Sequence, residues 1–125
     1  MEKKAHNFEF LKKAGPYSNA IEANGFFFLS GMLPYDTDNG TVITDDVKKG
    51  TELALSNIRR GLTTLGSSMD KIVKATVYLR DMADFNAMNE VYKTFFPGDP
   101  PARTCIAVKG IPAGAPVEIE VIALK

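Results

Sequence analysis

The residues able to do chemistry in this chain gather near its C-terminus. They lie in Pro101-Ala102-Arg103-Thr104-Cys105-Ile106-Ala107-Val108 and, after a short Gly/Pro-rich spacer, in Val117-Glu118-Ile119-Glu120-Val121. A guanidinium, two carboxylates and the chain's one thiol stand in otherwise apolar runs. Arginine and glutamate are rarely fully buried without a partner, so each has something to meet. Both runs read as strands. Arg103, Cys105 and Ala107 share one face of the first, and Glu118 and Glu120 share one face of the second. The spacer is short enough for the two strands to be paired neighbours, although nothing in the sequence requires it. Two readings stand side by side. Arginine, glutamate and cysteine could line a small-molecule site on a mostly apolar sheet, or Arg103 and a glutamate could form an ordinary salt bridge at a sheet edge. A lone buried cysteine is usually a small hydrophobe. His6 reads as a surface residue, and Lys12-Lys13 and Arg59-Arg60 as solvated faces.

The elements that must position these groups follow from periodicity and turn chemistry. Asn24-Gly25 marks a two-residue hairpin turn, because both residues tolerate positive φ. Strands are expected at 17–23 and 26–31. Phe26-Phe27-Phe28-Leu29 is too apolar for a half-solvated strand, so both of its faces should be covered. Residues 33–44 are turn-rich. Asp45 or Asp46 can cap a helix that carries Val47, Ala54, Ile58, Leu62 and Leu65 on one stripe and ends at Gly66. A strand follows at 71–80. A second helix is expected over 84–96, with Phe85, Met88, Tyr92 and Phe95 on one face, and Pro97-Gly98-Asp99-Pro100-Pro101 ends it. Two strands at 102–109 and 116–124 close the chain, and a short strand at 3–7 is a further candidate.

This order, two helices against one mixed sheet, makes a two-layer α+β fold in a single domain spanning residues 1–125. A two-layer sheet leaves its second face bare, and that face must be wet or covered by another subunit. The phenylalanine run favours the subunit, so an obligate homo-oligomer is expected.

Composition narrows the function classes. Lys+Arg and Asp+Glu are both 15, giving zero formal net charge, which argues against a protein built to bind nucleic acid. No apolar stretch approaches the roughly 20 residues that span a bilayer, and the basic N-terminus lacks the apolar core of a signal peptide. With one cysteine and one histidine, no internal disulfide is available and a metal site is not expected. A cytoplasmic protein is the expectation.

The segment PPARTCIAVKGIPAGAPVEIEVIA resembles the C-terminal signature of the RidA family, also called YjgF/YER057c/UK114, the reactive-intermediate deaminases. Further matches are Gly15-Pro16-Tyr17, Leu29-Ser30-Gly31, Pro34, Asn57, Val73-Lys74-Ala75-Thr76-Val77-Tyr78, and Asp84-Phe85 with Asn89, Tyr92 and Phe95-Phe96. They run through the whole chain, in order. The resemblance implies a mixed six-stranded sheet with two helices on one face, similar to the small trimeric chorismate mutases. It implies a homotrimer with sites in clefts between subunits. The implied activity is hydrolysis of 2-imino and 2-enamino acids, such as 2-aminoacrylate, 2-iminopropanoate and 2-iminobutanoate, to 2-oxo acids and ammonia, with no cofactor.

On that resemblance, Arg103 would grip the substrate carboxylate through two parallel charge-assisted hydrogen bonds. Glu118, the first glutamate of Glu-Ile-Glu, would activate the attacking water. Tyr17, Ser30, Gly31 and Cys105 would complete the pocket, Cys105 by its backbone and shape and not as a nucleophile. Many members carry Ser-Gly-Gln where this chain has Ser30-Gly31-Met32, so a side-chain amide is lost there. Two other readings compete with the deaminase. One is a regulatory module that binds a small carboxylate without turnover. The other is an endoribonuclease or translation inhibitor, which the zero net charge and the single histidine disfavour. Chorismate mutase activity rests on fold analogy alone, which is weak evidence.

Overall fold

The computed structural model describes residues 2–125. Its main sheet contains β1 (Lys4–His6), β2 (Ala20–Ala23), β3 (Phe26–Leu29), β6 (Ile72–Leu79), β7 (Ala102–Ala107) and β8 (Val117–Leu124), in the order β1-β2-β3-β8-β6-β7. The very short β4 (Tyr35–Asp36) and β5 (Thr41–Val42) form a separate hairpin in the turn-rich segment. Helices α1 (Val47–Thr64) and α2 (Phe85–Tyr92) pack side by side on one face of the main sheet. Among the described residues no helix is long and apolar enough to cross a membrane.

The local signals act as expected at several points. Asn24 (φ 53°) and Gly25 (φ 81°) turn β2 into β3, where positive φ suits both residues. Asp46, not Asp45, caps α1: its carboxylate accepts the Lys49 N–H at 3.0 Å. The helix ends with Gly66 N–H donating to Thr63 and Ser67 N–H donating to Leu62, the paired bonds of a Schellman stop. Ala54, Leu55, Ile58 and Leu62 are fully buried against Val77, Leu79, Val117 and Ile119 of the sheet's core face.

Several elements are shorter than their patterns suggest. β2 starts at Ala20 because Tyr17–Asn19 is held by other bonds: Tyr17 N–H donates to Gly15, and Asn19 exchanges side-chain bonds with Asn7 and Phe8. β3 ends at Leu29, since Ser30 N–H turns to the Asn19 carbonyl; Met32 then rejoins the sheet by exchanging both backbone bonds with Ile119. α2 stops at Tyr92 and tightens into a 3₁₀ turn over Lys93–Phe95.

The pairing of the last two strands is the main departure. β7 and β8 are not neighbours; β6 lies between them, parallel to β7 and antiparallel to β8. The spacer Val108–Pro116 is long enough to cross the end of β6. Arg80, just past β6, pins it there: its backbone N–H donates to Pro116, and its guanidinium donates to the carbonyls of Gly114 (2.8 Å) and Thr44 (2.9 Å).

The second face of the sheet is bare in the single chain. Phe27 and Leu29 point into the core, whereas Phe28 is 42% exposed on the open side beside Ile122. Ile106 and Leu124 are also exposed there. The expectation that both faces of the phenylalanine strand are covered therefore holds for one face within this chain.

Candidate functional site

Strand register assigns the candidate residues to two places. Arg103 is paired with Ala75 and Cys105 with Val77. Ala75 and Val77 are fully buried core residues, so Arg103 and Cys105 belong to the helix-covered face of the sheet, at its β7 edge. Glu118 is paired with Tyr78 and Glu120 with Thr76. These positions alternate with the core residues, so the two glutamates lie on the open face. Arg103 and Glu118 are thus on opposite faces. Three residues along the strand and two strands across put their Cα atoms roughly 14 Å apart. One protomer does not bring them to a common small ligand, contrary to the single cluster that the sequence allowed.

Arg103 sits in a cradle made by α2. Its Nη1 donates to Asn89 Oδ1 at 2.7 Å and approaches Met88 Sδ at 3.9 Å. The guanidinium lies over the ring of Tyr92 at 4.8 Å and near that of Phe85 at 5.7 Å. The ion pairs among the described residues are His6–Glu22, Lys48–Glu90 and Lys125–Glu22, and Arg103 is in none of them. The ordinary salt bridge is therefore not what holds Arg103. A positively charged fork with most donors unspent can receive an anion. Burial pushes the Cys105 thiol above its usual value, with Arg103 acting in the opposite sense. Such a thiol is protonated and a poor nucleophile.

Glu118 lies against Gly31. A Cβ built on Gly31 would come within 2.8 Å of Glu118 Cδ, so only a glycine leaves this carboxylate its place. Burial, and secondarily the charge of Glu120, raise the Glu118 carboxyl above its ordinary value. Glu120 in turn accepts a hydrogen bond from the Tyr78 hydroxyl. That bond, ahead of burial, raises the Tyr78 phenol. The arrangement is a half-desolvated base with a fixed neighbouring charge, suited to taking a proton from water.

Tyr17, Ser30 and Gly31 border one cavity of about 280 Å³, with Leu33, Tyr35 and Val42 on its apolar side. Tyr17 is 43% exposed at the rim, and Ser30 Oγ donates to the Ser18 carbonyl at 2.7 Å. Met32 is only 5% exposed, and its side chain joins the core cluster that contains Ile119, its backbone partner. Met32 also lines the cavity that Tyr17, Ser30 and Gly31 border, so its replacement of glutamine changes the core and the wall of that cavity together. His6 is half-buried and tied to Glu22 at 3.0 Å on the edge opposite Arg103. Arg59 and Arg60 are exposed, yet their guanidinium groups cover the rings of Phe95 and Phe10.

A family model described as Endoribonuclease L-PSP matches residues 9–125. The 2-iminobutanoate/2-iminopropanoate deaminase of Mus musculus is 39% identical over 111 residues, covering 89% of this chain and 82% of its own. A RutC family protein of Pyrococcus horikoshii is 43% identical over 114 residues, covering 91% and 90%. The crystal structure of YyfA of Yersinia pestis, described as a conserved Rid family protein of unknown function, superposes with a TM-score of 0.94 at 36% identity, covering 99% of this chain and 100% of that one. The chain belongs to the RidA family. Its two helices and mixed six-stranded sheet are the RidA/YjgF fold. The structure of TdcF of E. coli with bound serine is similar to this RidA-family chain at a TM-score of 0.85 and 34% identity, covering 90% and 91%.

Asn89, Tyr78 and Glu120, to which the sequence pattern assigns no site role, lie beside Arg103 and Glu118. Asn89 is a polar residue on the apolar stripe of α2, and that break in the stripe was a readable signal. Tyr78 and Glu120 alternate into the same face as Glu118, but only the strand order brings Tyr78 beside them.

Proposed function

We propose that this RidA-family chain hydrolyses 2-imino acids, and their 2-enamino tautomers, to 2-oxo acids and ammonia, in a homotrimer whose sites are shared between neighbouring copies. The observation that carries the reading is Arg103: a cradled guanidinium on a sheet edge with no carboxylate partner of its own. Every 2-imino acid brings a carboxylate to such a fork. The serine in the related TdcF structure also carries an α-carboxylate next to nitrogen, and the mouse relative is named for this reaction.

The separation of Arg103 from Glu118 supports a composite site. In this reading, Arg103 of one copy holds the substrate carboxylate, while Glu118, Ser30, Gly31 and Tyr17 of the next copy face the imine carbon. Glu118 takes a proton from water as the water oxygen bonds to that carbon. That proton passes to the nitrogen to give a carbinolamine. The carbinolamine hydroxyl then yields its own proton, by way of Glu118, to the amino nitrogen, the C–N bond breaks, and ammonia leaves as the carbonyl forms. Burial makes Glu118 a stronger base than a solvated glutamate, and help of this kind is typically worth about 10²–10⁴-fold.

The test generates the imine in a cuvette with a serine or threonine dehydratase and traps what remains with semicarbazide. Added wild-type protein is expected to lower the adduct signal, and Arg103→Ala and Glu118→Gln to abolish that effect. A folded, oligomeric wild type that leaves the signal unchanged, yet binds pyruvate, would instead support a carboxylate-binding module without turnover.

A further inference from the structure

The α2 face that cradles Arg103 carries no charge. Phe85, Met88, Asn89 and Tyr92 are positions i, i+3, i+4 and i+7 of α2, so they fall on one face, and all four touch the guanidinium. Three of them offer only rings or sulfur to it. Asn89 supplies the one oxygen at hydrogen-bond distance, 2.7 Å away. The helix has one carboxylate, Glu90, and it stands one position round from this face, 2.7 Å from Lys48 of α1. The Tyr92 hydroxyl is buried without a hydrogen-bond partner, and burial raises its pKa, which keeps it neutral.

We infer that Asn89 is a positioning residue for Arg103 and that its neutrality is the essential property. The amide oxygen fixes the orientation of the fork through one N–H and leaves the charge and the other donors for an incoming carboxylate. An aspartate at 89 would keep an oxygen in the same place. It would also cancel the charge and compete for the donors as a two-pronged ion pair. This inference rests on the reading of Arg103 as the carboxylate receptor.

The experiment compares wild type, Asn89→Asp, Asn89→Ala and Arg103→Ala. It reads KM and kcat in the imine assay, pyruvate affinity by calorimetry, the thermal midpoint, and oligomeric state. For Asn89→Asp, KM and the pyruvate Kd are expected to rise about tenfold or more, the size expected when a charged hydrogen bond is lost. The thermal midpoint should stay at or above wild type, because the new ion pair is internal, and kcat should change less than KM. Asn89→Ala keeps the charge and should raise KM by less than Asn89→Asp does. A purely structural asparagine would instead lower the midpoint in both variants and leave KM alone, and that result overturns the inference. So does an Asn89→Asp protein with wild-type KM and Kd while Arg103→Ala is inactive; the carboxylate reading then survives alone. If Arg103→Ala binds pyruvate and hydrolyses imine as wild type does, or wild type does neither, that reading fails and the inference falls with it.

Discussion

The Glu118 carboxylate fills the place that a Cβ on residue 31 would take, and the Gly31 backbone closes against it. Gly31 is exposed and its φ is not in the left-handed region. An alanine there costs little backbone strain and acts almost wholly by evicting the carboxylate. Gly31→Ala is therefore expected to lower kcat for imine hydrolysis by about tenfold or more, with a thermal midpoint close to wild type. Steady-state kinetics and a melting curve on the same preparation check both halves. A variant with unchanged kcat would show that the position of Glu118 does not matter to turnover.

The paired glutamates set an expected pH dependence. Glu118 is raised by burial first and by Glu120 second, so it binds its proton more tightly in the folded protein than in the unfolded chain. Its ionisation then costs stability, beginning as pH rises past the ordinary glutamate value of about 4.3 and complete above the folded value. Glu118→Gln removes that cost. Its thermal midpoint should exceed that of wild type at pH 7, and the gap should close near pH 4. Activity has the opposite dependence, since the base must be ionised: kcat/KM should fall on an acid limb displaced upward from the ordinary glutamate value. Glu120→Gln removes the like charge and should move that limb to lower pH. A limb that stays in place would remove Glu120 from the electrostatics of the site.

The open face yields a prediction about assembly. Phe28 and Leu124 present apolar surface to solvent beside Ile122 in the single chain, and Ile106 is exposed farther along the same face. Exposed apolar surface of this kind marks an interaction site when it is contiguous with a partner. Light scattering on wild type should give the mass of a trimer. Phe28→Glu places a charge in the middle of that face and should yield a monomer with unchanged far-ultraviolet circular dichroism. It should also lose imine hydrolysis, because the composite site goes with the assembly. An active monomer would rule out the shared site.

How much of this was legible in the sequence depends on whether the signal was local. The Asn24-Gly25 turn, the Asp46 cap, the Gly66 stop and the α1 stripe are written within a few residues, and each could be read directly. Alternation correctly put Arg103 with Cys105 and Glu118 with Glu120. It could not say whether these two faces are the same side of the sheet, because that depends on which strand lies between β7 and β8. The inserted neighbour is β6, more than twenty residues upstream of β7, and the Arg80 clamp that lets the spacer cross it unites three segments. Asn89 was visible as a polar break in an apolar stripe, but its meaning needs the guanidinium it touches. Met32 carries both signals: motif comparison marks it as a site position, and packing puts it in the core at the wall of the cavity that Tyr17 and Ser30 border.

The opposite placement of Arg103 and Glu118 allows a decisive test of the shared site. Arg103→Ala and Glu118→Gln should each be inactive alone. If every site takes its arginine from one copy and its glutamate from the next, a mixed assembly restores some intact sites. Random mixing of equal amounts makes a site intact when an Arg103-bearing copy meets a Glu118-bearing neighbour in the right order, which is about a quarter of all sites. Co-expressed or co-refolded variants are therefore expected to recover up to about a quarter of wild-type activity, whereas the two proteins mixed without subunit exchange recover none. If both residues served the same site from one chain, no mixture could restore it, because every chain carries one of the two lesions. Zero recovery in verified mixed trimers would place the chemistry within a protomer, across a sheet whose register keeps the two side chains apart.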